Sequence, residues 1–183
     1  MFGICVVLPI HRSCMSQPYF IRKIRLSDAD KFSKMRIKAL QTDPNVFAMT
    51  LEEEQLLSSD EIVRYLMKNY VLGLFTNKDD LIGALVFMEQ ERQKFKHIGI
   101  LGGMYVDPRY RGFGLGKKLL STMLHNLKKV SHLHALQLKV VTTNIPAIRL
   151  YQSFGFSVWA TENKALLHNG NFFDQHHMML QFC

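Results

Sequence analysis

The chain has 183 residues, of which 48% are hydrophobic and 21% are charged, and its formal net charge is +8. This length suits one domain with a sizeable core. Apolar runs stay shorter than the roughly 18 to 20 residues that span a bilayer, so we expect no membrane association. The basic charges are scattered, without a helix-turn-helix or base-stacking pattern, so we also expect no nucleic-acid partner.

The two ends of the chain predict a short extension and a reducing environment. Residues 1–17 show no clear periodicity, and we expect an N-terminal extension there, followed by a single domain over residues 18–183. The apolar segment 1–10 lacks a charged start and a clear cleavage site, which argues against a signal peptide. We interpret the three cysteines as free thiols of a cytoplasmic protein, because they lack metal-ligand spacing. They are Cys5, Cys14 and Cys183.

The first half of the chain predicts a strand, two helices and a pair of strands, in that order. Apolar and basic residues alternate over residues 19–25, which is typical of a strand. Ser27 predicts the N-cap of a helix that ends near Gln41, and Ser59 predicts the N-cap of the next helix. The strands that follow are predicted over residues 70–76 and 81–89, joined by a polar turn.

The second half begins with a strand over residues 98–106 that contains Gly102-Gly103. Glycines inside a strand indicate a bulge or a close backbone approach. A glycine-rich turn and an amphipathic helix follow, and the apolar face of that helix consists of Leu119, Leu120, Met123, Leu124, Leu127 and Val130. The remaining predicted elements are a strand over 136–141, a helix over 146–154, and strands over 156–160 and 172–182 with a turn at Asn169-Gly170 between them.

The glycine-rich turn between strand and helix has the features of an anion-binding site. It reads Arg111-Gly112-Phe113-Gly114-Leu115-Gly116-Lys117. Glycine permits positive φ and close backbone approach, and the first N–H groups of a helix lie unpaired at its positive end, so phosphate or pyrophosphate can bind there. Arg111 and Lys117 add positive charge. The alternative is a turn that needs its glycines for tight packing of the strand against the helix.

Two common phosphate-binding motifs do not match this turn. A P-loop needs Gly-Lys-Ser/Thr, whereas Gly116 is followed by two lysines. A dinucleotide-binding fold places its glycines after the first strand of a βαβ unit, whereas mixed structure occupies most of the roughly 100 residues before this turn.

A second motif follows one strand later and has the form Asn-x-x-Ala-x-x-Leu-Tyr-x-x-x-Gly-Phe. Its fixed positions are Asn144, Ala147, Leu150, Tyr151, Gly155 and Phe156. The glycine turn has the form Arg/Gln-x-x-Gly-x-Gly/Ala, with Arg111, Gly114 and Gly116 at the fixed positions. In this order and spacing, the pair resembles the GNAT superfamily of acyl-coenzyme A-dependent N-acetyltransferases, over about residues 19–182. The resemblance implies an α/β (α+β) GNAT fold, with a mixed, mostly antiparallel sheet of six to seven strands, a central splay and about four flanking helices.

The resemblance also implies an activity, which is direct transfer of an acetyl group from acetyl-CoA to a primary amine in a ternary complex. The acceptor would be a small-molecule or peptide amine, and the protein a monomer or a homodimer. Tyr151 matches the family's usual general acid; the alternative is a tyrosine that only packs its ring in the core. Asn144 would bind the cofactor or cap a helix. The implied cofactor-binding positions are Met104, Tyr105, Val106, Arg111, Gly112, Phe113, Gly114, Leu115, Gly116, Lys117, Asn144 and Ala147.

The sequence leaves the acceptor wall and the catalytic base open. In the resembled family, the region matching residues 43–58 forms one wall of the acceptor site, and here it contains the run Glu52-Glu53-Glu54. These carboxylates could attract an amine or form a solvated helix face. The strand over residues 98–106 has no Glu or Asp, which leaves His97, Glu89, Glu91 or an ordered water as candidates for the base.

Other functions also remain possible from the sequence. A non-catalytic acyl-CoA-binding sensor could use the same fold, and the basic charge could serve a nucleic-acid-binding module. Two pairs of histidines, His132-x-His134 and His176-His177, could suggest a metal site. However, Cys, Asp and Glu are missing nearby at ligand spacing, so we expect no metal.

Overall fold

The computed structural model describes residues 19–182 and shows an open seven-stranded sheet with helices on both faces. The strands are β1 Phe20–Lys23, β2 Tyr70–Phe75, β3 Leu81–Met88, β4 Ile98–Val106, β5 Ala135–Val141, β6 Ser157–His168 and β7 Asn171–Gln181, in the order β1-β2-β3-β4-β5-β7-β6. The helices are α1 Ala29–Thr42, α2 Leu51–Gln55, α3 Ser59–Lys68, α4 Leu115–Leu127 and α5 Ile145–Gln152. The expected α/β fold is confirmed, with one more helix in the described residues than the sequence predicts.

Strands β4 and β5 create the splay at the centre of the sheet. They run parallel, whereas the other neighbouring strands are antiparallel. Their pairing joins Ile98–Ile100 to Ala135–Gln137, and no further pair within residues 19–182 joins the two strands beyond that point. The expected central splay is therefore confirmed, and it opens toward the C-terminal ends of β4 and β5.

The predicted bulge at Gly102-Gly103 is also present, and it changes which face β4 presents. The register against β3 shifts between the pairs Val86–Gly102 and Ala84–Tyr105, and Gly103 has a φ of 57°. One extra residue reverses the alternation of side chains. As a result Leu101 packs under α4, whereas Tyr105 packs under α1.

Two hydrophobic cores cover the two faces of the sheet. The core under α4 and α5 includes Leu119, Leu120, Met123, Leu136, Leu138, Tyr151 and Met178. The core under α1 and α3 includes Phe32, Met35, Ile62, Val71, Phe75 and Tyr105. Adjacent strand residues alternate between the two cores, as the two-residue period of a strand requires.

Both predicted helix caps are displaced in the structure. Ser27 lies inside a short 3-10 turn, Leu26–Asp28, and the buried carboxylate of Asp28 accepts hydrogen bonds from Arg22 at 2.6 Å and from the Arg25 N–H at 2.8 Å. Helix α3 is capped by Ser58 rather than Ser59, because Ser58 and Glu61 form a reciprocal capping box. The choice between two adjacent serines depends on that reciprocal contact.

The last hairpin is longer than the sequence predicts. Strand β6 extends to His168 rather than ending near residue 160, and β7 begins one residue earlier than predicted. Register shifts at Val158/Ala160 and Glu162/Leu166 interrupt the alternating pattern of β6, which hides its length from the sequence. The predicted turn is present, since Asn169 and Gly170 both have positive φ.

The predicted extension over residues 1–17 and the three cysteines lie outside the described residues, so the domain boundary at residue 18 stays a prediction. In the part of the chain that the structure describes, the helices are too short or too polar to cross a bilayer.

Candidate active site

A cavity of about 480 Å³ lies where β4 and β5 diverge. It is enclosed by the end of β4, the glycine turn, the end of β5 and the start of α5. Of the site residues predicted from the sequence, those that line it are Met104, Tyr105, Val106, Arg111, Gly112, Gly114, Leu115, Gly116, Lys117, Asn144, Ala147 and Tyr151. Phe113 is the exception, because its side chain is exposed and lies outside the lining. Two separate motifs thus meet at one cavity.

The glycine turn presents a row of free backbone donors. Within residues 19–182, the N–H groups of residues 112–117 have no protein acceptor, and the first helical hydrogen bond of α4 runs from the Lys118 N–H to the Gly114 oxygen at 3.0 Å. Gly112 and Gly114 have φ of 84° and 72°, and a Cβ at either position would meet no described atom within 4 Å. These two glycines are therefore required by backbone conformation, not by tight packing. At Gly116 a Cβ would contact Met104 at 3.4 Å, so packing does contribute at that position.

Asp107 fixes the start of this turn. Its buried carboxylate accepts hydrogen bonds from the backbone N–H and the side chain of Arg109, at 3.0 and 2.9 Å, and pairs with Lys38 of α1. Burial alone would raise the pKa of Asp107, but the hydrogen bonds from Arg109 and Lys38 hold it far below its usual value. The carboxylate is thus ionised and anchors the turn to the sheet and to α1.

Arg111 joins the glycine turn to the segment after α1. Its Nε donates to the Val106 oxygen at 2.7 Å, and its Nη1 and Nη2 contact the Asp43 carboxylate at 3.2 and 2.5 Å. Burial would raise the pKa of Asp43, but hydrogen bonds from Arg111 and Thr42 hold it below its usual value. Asp43, Val46 and Phe47 therefore form an outer wall of the cavity. The sequence pointed to this region but not to Asp43.

Strand β4 offers backbone groups to the cavity. The side chain of Tyr105 turns away, since its ring is buried under α1 and its hydroxyl lies 3.3 Å from Thr42 Oγ1. Burial raises the pKa of this phenol. Tyr105 can therefore serve the cavity through its main chain, whereas Met104 and Val106 lie beside Gly116 of the turn.

Tyr151 reaches the cavity from α5. The residue is 8% exposed, its ring packs edge-on against Phe156 with centroids 5.8 Å apart, and its hydroxyl donates to Met104 Sδ at 3.4 Å. Burial raises the pKa of Tyr151 well above its ordinary value, so the hydroxyl remains protonated. A thioether is a weak acceptor, which leaves this proton free for a stronger one.

Asn144 caps α5, as one of its two sequence interpretations predicted. Its Oδ1 accepts from the Ala147 N–H at 3.3 Å. The side-chain amide nitrogen of Asn144 makes no hydrogen bond to another residue of the described chain, and it borders the cavity. Capping and ligand binding are therefore compatible at this residue.

The three glutamates of α2, Glu52-Glu53-Glu54, differ in their exposure to solvent and in their partners. Glu54 is 3% exposed, and Nε and Nη2 of Arg36 contact its Oε2 at 3.1 and 2.7 Å. Glu53 forms a capping box with Thr50, and Glu52 is exposed. The expectation of a solvated face is wrong for Glu54, because this carboxylate neutralises a guanidinium between the helices.

The base candidates named from the sequence lie at the closed end of the splay. The His97 oxygen accepts hydrogen bonds from the N–H groups of His134 and Ala135, where β4 and β5 begin to pair. Glu89 lies 3.6 Å from His132, and Glu91 pairs with Lys68 at 2.5 Å. Since the cavity occupies the other end of β4, these groups are poorly placed to act there.

The sequence interpretation missed Lys139, which lines the cavity from β5 and pairs with Glu162 of β6 at 3.0 Å. A lone lysine on a strand carries no local pattern that would have identified it. For metals, the described residues bring no three His, Cys, Asp or Glu side chains together as a binding group, and the absence of a metal stays a prediction.

Comparison with known proteins identifies the family. The profile of the Acetyltransferase (GNAT) family matches residues 36–156, which is more than half of the chain. The chain therefore belongs to the GNAT acetyltransferase family, as the two motifs predicted.

Two curated relatives are similar over the central part of the chain. The L-amino acid N-acetyltransferase AaaT of Escherichia coli (strain K12) is 29% identical over 99 residues, covering 54% of this chain and 60% of AaaT. The spermine/spermidine N(1)-acetyltransferase of Bacillus subtilis (strain 168) is 43% identical over 88 residues, covering 46% and 57% respectively. The chain thus spans a little over half the length of each relative.

Solved structures share the fold over nearly the whole described chain. A GNAT-family acetyltransferase from Streptococcus pneumoniae superposes with a TM-score of 0.81 and 25% identity, covering 90% of this chain and 100% of that one. The structure of yncA from Salmonella typhimurium, which contains its cofactor acetyl-CoA, gives a TM-score of 0.78 and 21% identity, covering 90% and 94%.

Proposed function

We propose that this protein is an N-acetyltransferase that moves an acetyl group from acetyl-CoA directly to a primary amine in a ternary complex. The observation that carries the proposal is the meeting of two features at one cavity. One is the row of free N–H donors at residues 112–117, and the other is the buried, protonated hydroxyl of Tyr151.

The donors of the cavity fit the chemical parts of acetyl-CoA. Amides 112–117 at the start of α4 suit a pyrophosphate, with Lys117 adding charge. The backbone edge of β4 from Met104 to Val106 suits the amides of the pantetheine arm, as does the side-chain amide of Asn144. Small Ala147 leaves room beside them. The cosubstrate supplies the activated acetyl group as a thioester.

Tyr151 is the proposed general acid. A leaving thiolate needs a proton, and a neutral phenol can donate one because its hydroxyl is within the cavity and weakly engaged. The same buried hydroxyl favours an enzyme over a non-catalytic acyl-CoA sensor on this fold. A sensor would need the amide row but would have no use for a proton donor.

The acceptor is proposed as a primary amine on a small molecule or a peptide. The names of the two curated relatives include amino acids and polyamines, respectively. For this chain, the segment with Asp43 and Phe47, which lines the cavity, is proposed as one wall of the acceptor site. Helix α2, which follows that segment in the chain, is proposed to extend the wall.

An acceptor screen tests the proposed function. The purified full chain is mixed with acetyl-CoA and a panel of amines that includes spermidine, L-amino acids and short peptides, and thiol release is followed. Thiol release that depends on the amine, with the acetylated amine found by mass spectrometry, supports the proposal. Acetyl-CoA binding without turnover on any amine would favour the sensor. Salt-sensitive binding to nucleic acid without acetyl-CoA binding would favour the third class.

A further inference from the structure

Three side chains from neighbouring strands form one cluster on the face of the sheet that α4 and α5 leave open. Lys139 of β5 and His177 of β7 are direct partners in the strand register. Both contact the same oxygen of Glu162 on β6, Lys139 Nζ at 3.0 Å and His177 Nε2 at 2.8 Å. Their strand neighbours Leu138 and Met178 point the other way, into the core under α4 and α5.

This cluster borders the cavity through Lys139. Directly paired residues on one face of an antiparallel sheet have Cβ atoms about 5 Å apart, so His177 stands one strand away from the cavity wall. Tyr151 enters from the opposite face. An amine that approaches the thioester from the face opposite Tyr151 would therefore pass over the face that carries His177.

The contacts of His177 define which ring nitrogen is basic. Hydrogen bonds from Lys139 and His177 hold the pKa of Glu162 below its usual value, so Glu162 is a carboxylate and can only accept. His177 Nε2 must then carry the hydrogen, which leaves the lone pair on Nδ1. The ring is fixed further by Trp159, which packs edge-on with centroids 5.5 Å apart.

The charged groups that face His177 are Lys139 from β5 and Glu162 from β6. On its own strand, Asp174 is occupied by the Lys164 N–H at 2.7 Å. His176 faces the opposite way and bonds Thr161 Oγ1 at 2.9 Å. The charged groups next to His177 are thus the Glu162 carboxylate and the Lys139 ammonium. One Glu162 oxygen contacts both Lys139 and His177.

We propose that His177 is the general base that deprotonates the acceptor amine, with Glu162 as the residue that positions its ring. This inference rests on the proposed N-acetyltransferase function. The reaction requires a general base, and the carboxylates considered from the sequence and around the cavity are not free to serve as one. Glu54 is paired with Arg36, Asp43 is paired with Arg111, and β4 carries no carboxylate between Ile98 and Val106.

The proton balance is as follows. The acceptor ammonium gives one proton to His177 Nδ1 and becomes a neutral amine, whose nitrogen forms a bond to the carbonyl carbon as the bond from that carbon to sulfur breaks. The leaving thiolate takes the Tyr151 proton, the new amide nitrogen gives up its second proton to water, and the tyrosinate regains a proton from water. His177 then releases its proton to water, so one proton leaves for each amide formed. An imidazole suits this role because one ring nitrogen can accept a proton while the N–H of the other stays hydrogen-bonded to Glu162.

The test compares two neighbouring histidines on opposite faces. For the acceptor that gives the highest rate in the screen, starting with spermidine and L-alanine, kcat/KM is measured from pH 5.5 to 10 in the wild type, His177→Gln and His176→Gln. We expect His177→Gln to lose about 10²-fold or more at pH 7 and to lose less at pH 10, where more of the amine is already neutral. The acidic limb of the profile should persist in His176→Gln.

Two further measurements do not depend on turnover. Calorimetry should show unchanged acetyl-CoA affinity in His177→Gln. NMR of the histidine ring nitrogens should show His177 with its hydrogen on Nε2 in the wild type and a mixture of both tautomers in Glu162→Gln, because the carboxylate that holds the hydrogen on Nε2 is gone. An unaltered acidic limb in His177→Gln, or an Nε2–H tautomer of His177 that Glu162→Gln leaves unchanged, would overturn the inference alone. A wild type that binds acetyl-CoA but acetylates no amine would overturn the proposed function as well.

Discussion

Arg111 and Asp43 form a two-point ion pair across the mouth of the cavity, with Nη1–Oδ1 and Nη2–Oδ2 distances of 3.2 and 2.5 Å. Arg111 belongs to the glycine turn, and Asp43 follows α1, so the pair joins the proposed pyrophosphate site to the proposed acceptor wall. A bidentate arginine–carboxylate pair has fixed geometry as well as charge. The carboxylate also neutralises the guanidinium nearest the amide row.

Asp43→Asn should strengthen binding of acetyl-CoA. Removing the carboxylate leaves the positive charge of Arg111 beside the amide row. The phosphates of the cosubstrate are then no longer repelled by a nearby carboxylate. We expect a threefold to tenfold lower Kd, which corresponds to about 0.7 to 1.4 kcal/mol, and a steeper dependence on salt. Calorimetry at two salt concentrations measures both. The control is Asp30→Asn, an exposed change at the start of α1. Weaker binding in Asp43→Asn would mean that Asp43 holds Arg111 in its binding position.

Gly114→Ala should weaken acetyl-CoA binding by about tenfold or more, because the added methyl group would fill open space at the turn where the pyrophosphate is proposed to bind. The change also costs about 1 to 2 kcal/mol of stability, since alanine disfavours a φ of 72°. Gly170→Ala provides a matched control, because Gly170 has a φ of 76° in the distant β6–β7 turn and equally open surroundings. Thermal unfolding should change similarly in both variants, whereas equal acetyl-CoA affinities would contradict the proposed pyrophosphate site.

Glu54→Gln should destabilise the fold, whereas Glu52→Gln should not. It leaves the guanidinium of Arg36, which is 15% exposed, without its counter-charge. We expect a loss of about 3 kcal/mol in the free energy of unfolding, or roughly 6 to 12 °C in Tm. Glu52→Gln on the exposed side of α2 should stay within about 0.5 kcal/mol. Urea unfolding of both variants measures the difference, and similar values would mean that the Arg36–Glu54 pair does not contribute.

The parts of this protein that the sequence predicted well are those encoded by neighbouring residues. Strand β4, its bulge at Gly102-Gly103 and the glycine turn with its free N–H groups follow from local backbone requirements, and the second motif places Asn144 and Tyr151 on one short helix. The helix caps were misplaced by one residue at Ser58, since two adjacent serines offer the same chemistry. Only the reciprocal bond to Glu61 distinguishes them.

The parts that could not be predicted depend on residues far apart in the chain. Burial of Glu54 requires Arg36, which is 18 positions away on another helix. The cluster of Lys139, Glu162 and His177 requires the strand order β5-β7-β6 and the register of three strands. Sequence periodicity gives the faces of one element, but it does not give the partner that each face meets.

Asp107 should make stability depend on pH in the acidic range. Its folded pKa lies below the ordinary value, so its contribution is fully present above the unfolded pKa near 4 and is lost as pH falls toward the folded one. We expect Asp107→Asn to lose on the order of 2 kcal/mol at pH 7, because charge-assisted bonds from Arg109 and Lys38 are weakened. Urea unfolding from pH 7 to 3 should show the two proteins converging. The exposed Asp60→Asn is the control, and a constant difference across this range would rule out the ionised carboxylate as the cause.

Tyr151→Phe tests the proposed general acid without changing the shape of the core. The ring packing against Phe156 is kept, so the Tm and the affinity for acetyl-CoA should remain close to those of the wild type. The proton donor is lost, and since water can replace part of its role, we expect kcat to fall by roughly tenfold to a thousandfold. Because burial raises the pKa of Tyr151, the wild-type rate should show no loss from phenol ionisation up to pH 10.

The matched control is Tyr70→Phe, which also removes a hydroxyl from the core under α4 and α5. The Tyr70 hydroxyl accepts a hydrogen bond from Asn126 Nδ2 of α4 at 3.0 Å. Its kcat should stay near the wild-type value, so a fall shared by both variants would point to a general effect of losing a hydroxyl from this core. The comparison requires conditions in which the chemical step limits turnover, which a pre-steady-state burst measurement can establish, because a slow product release would hide the effect. A Tyr151→Phe variant with wild-type kcat under those conditions would assign Tyr151 to packing alone, and protonation of the thiolate would then have to come from solvent.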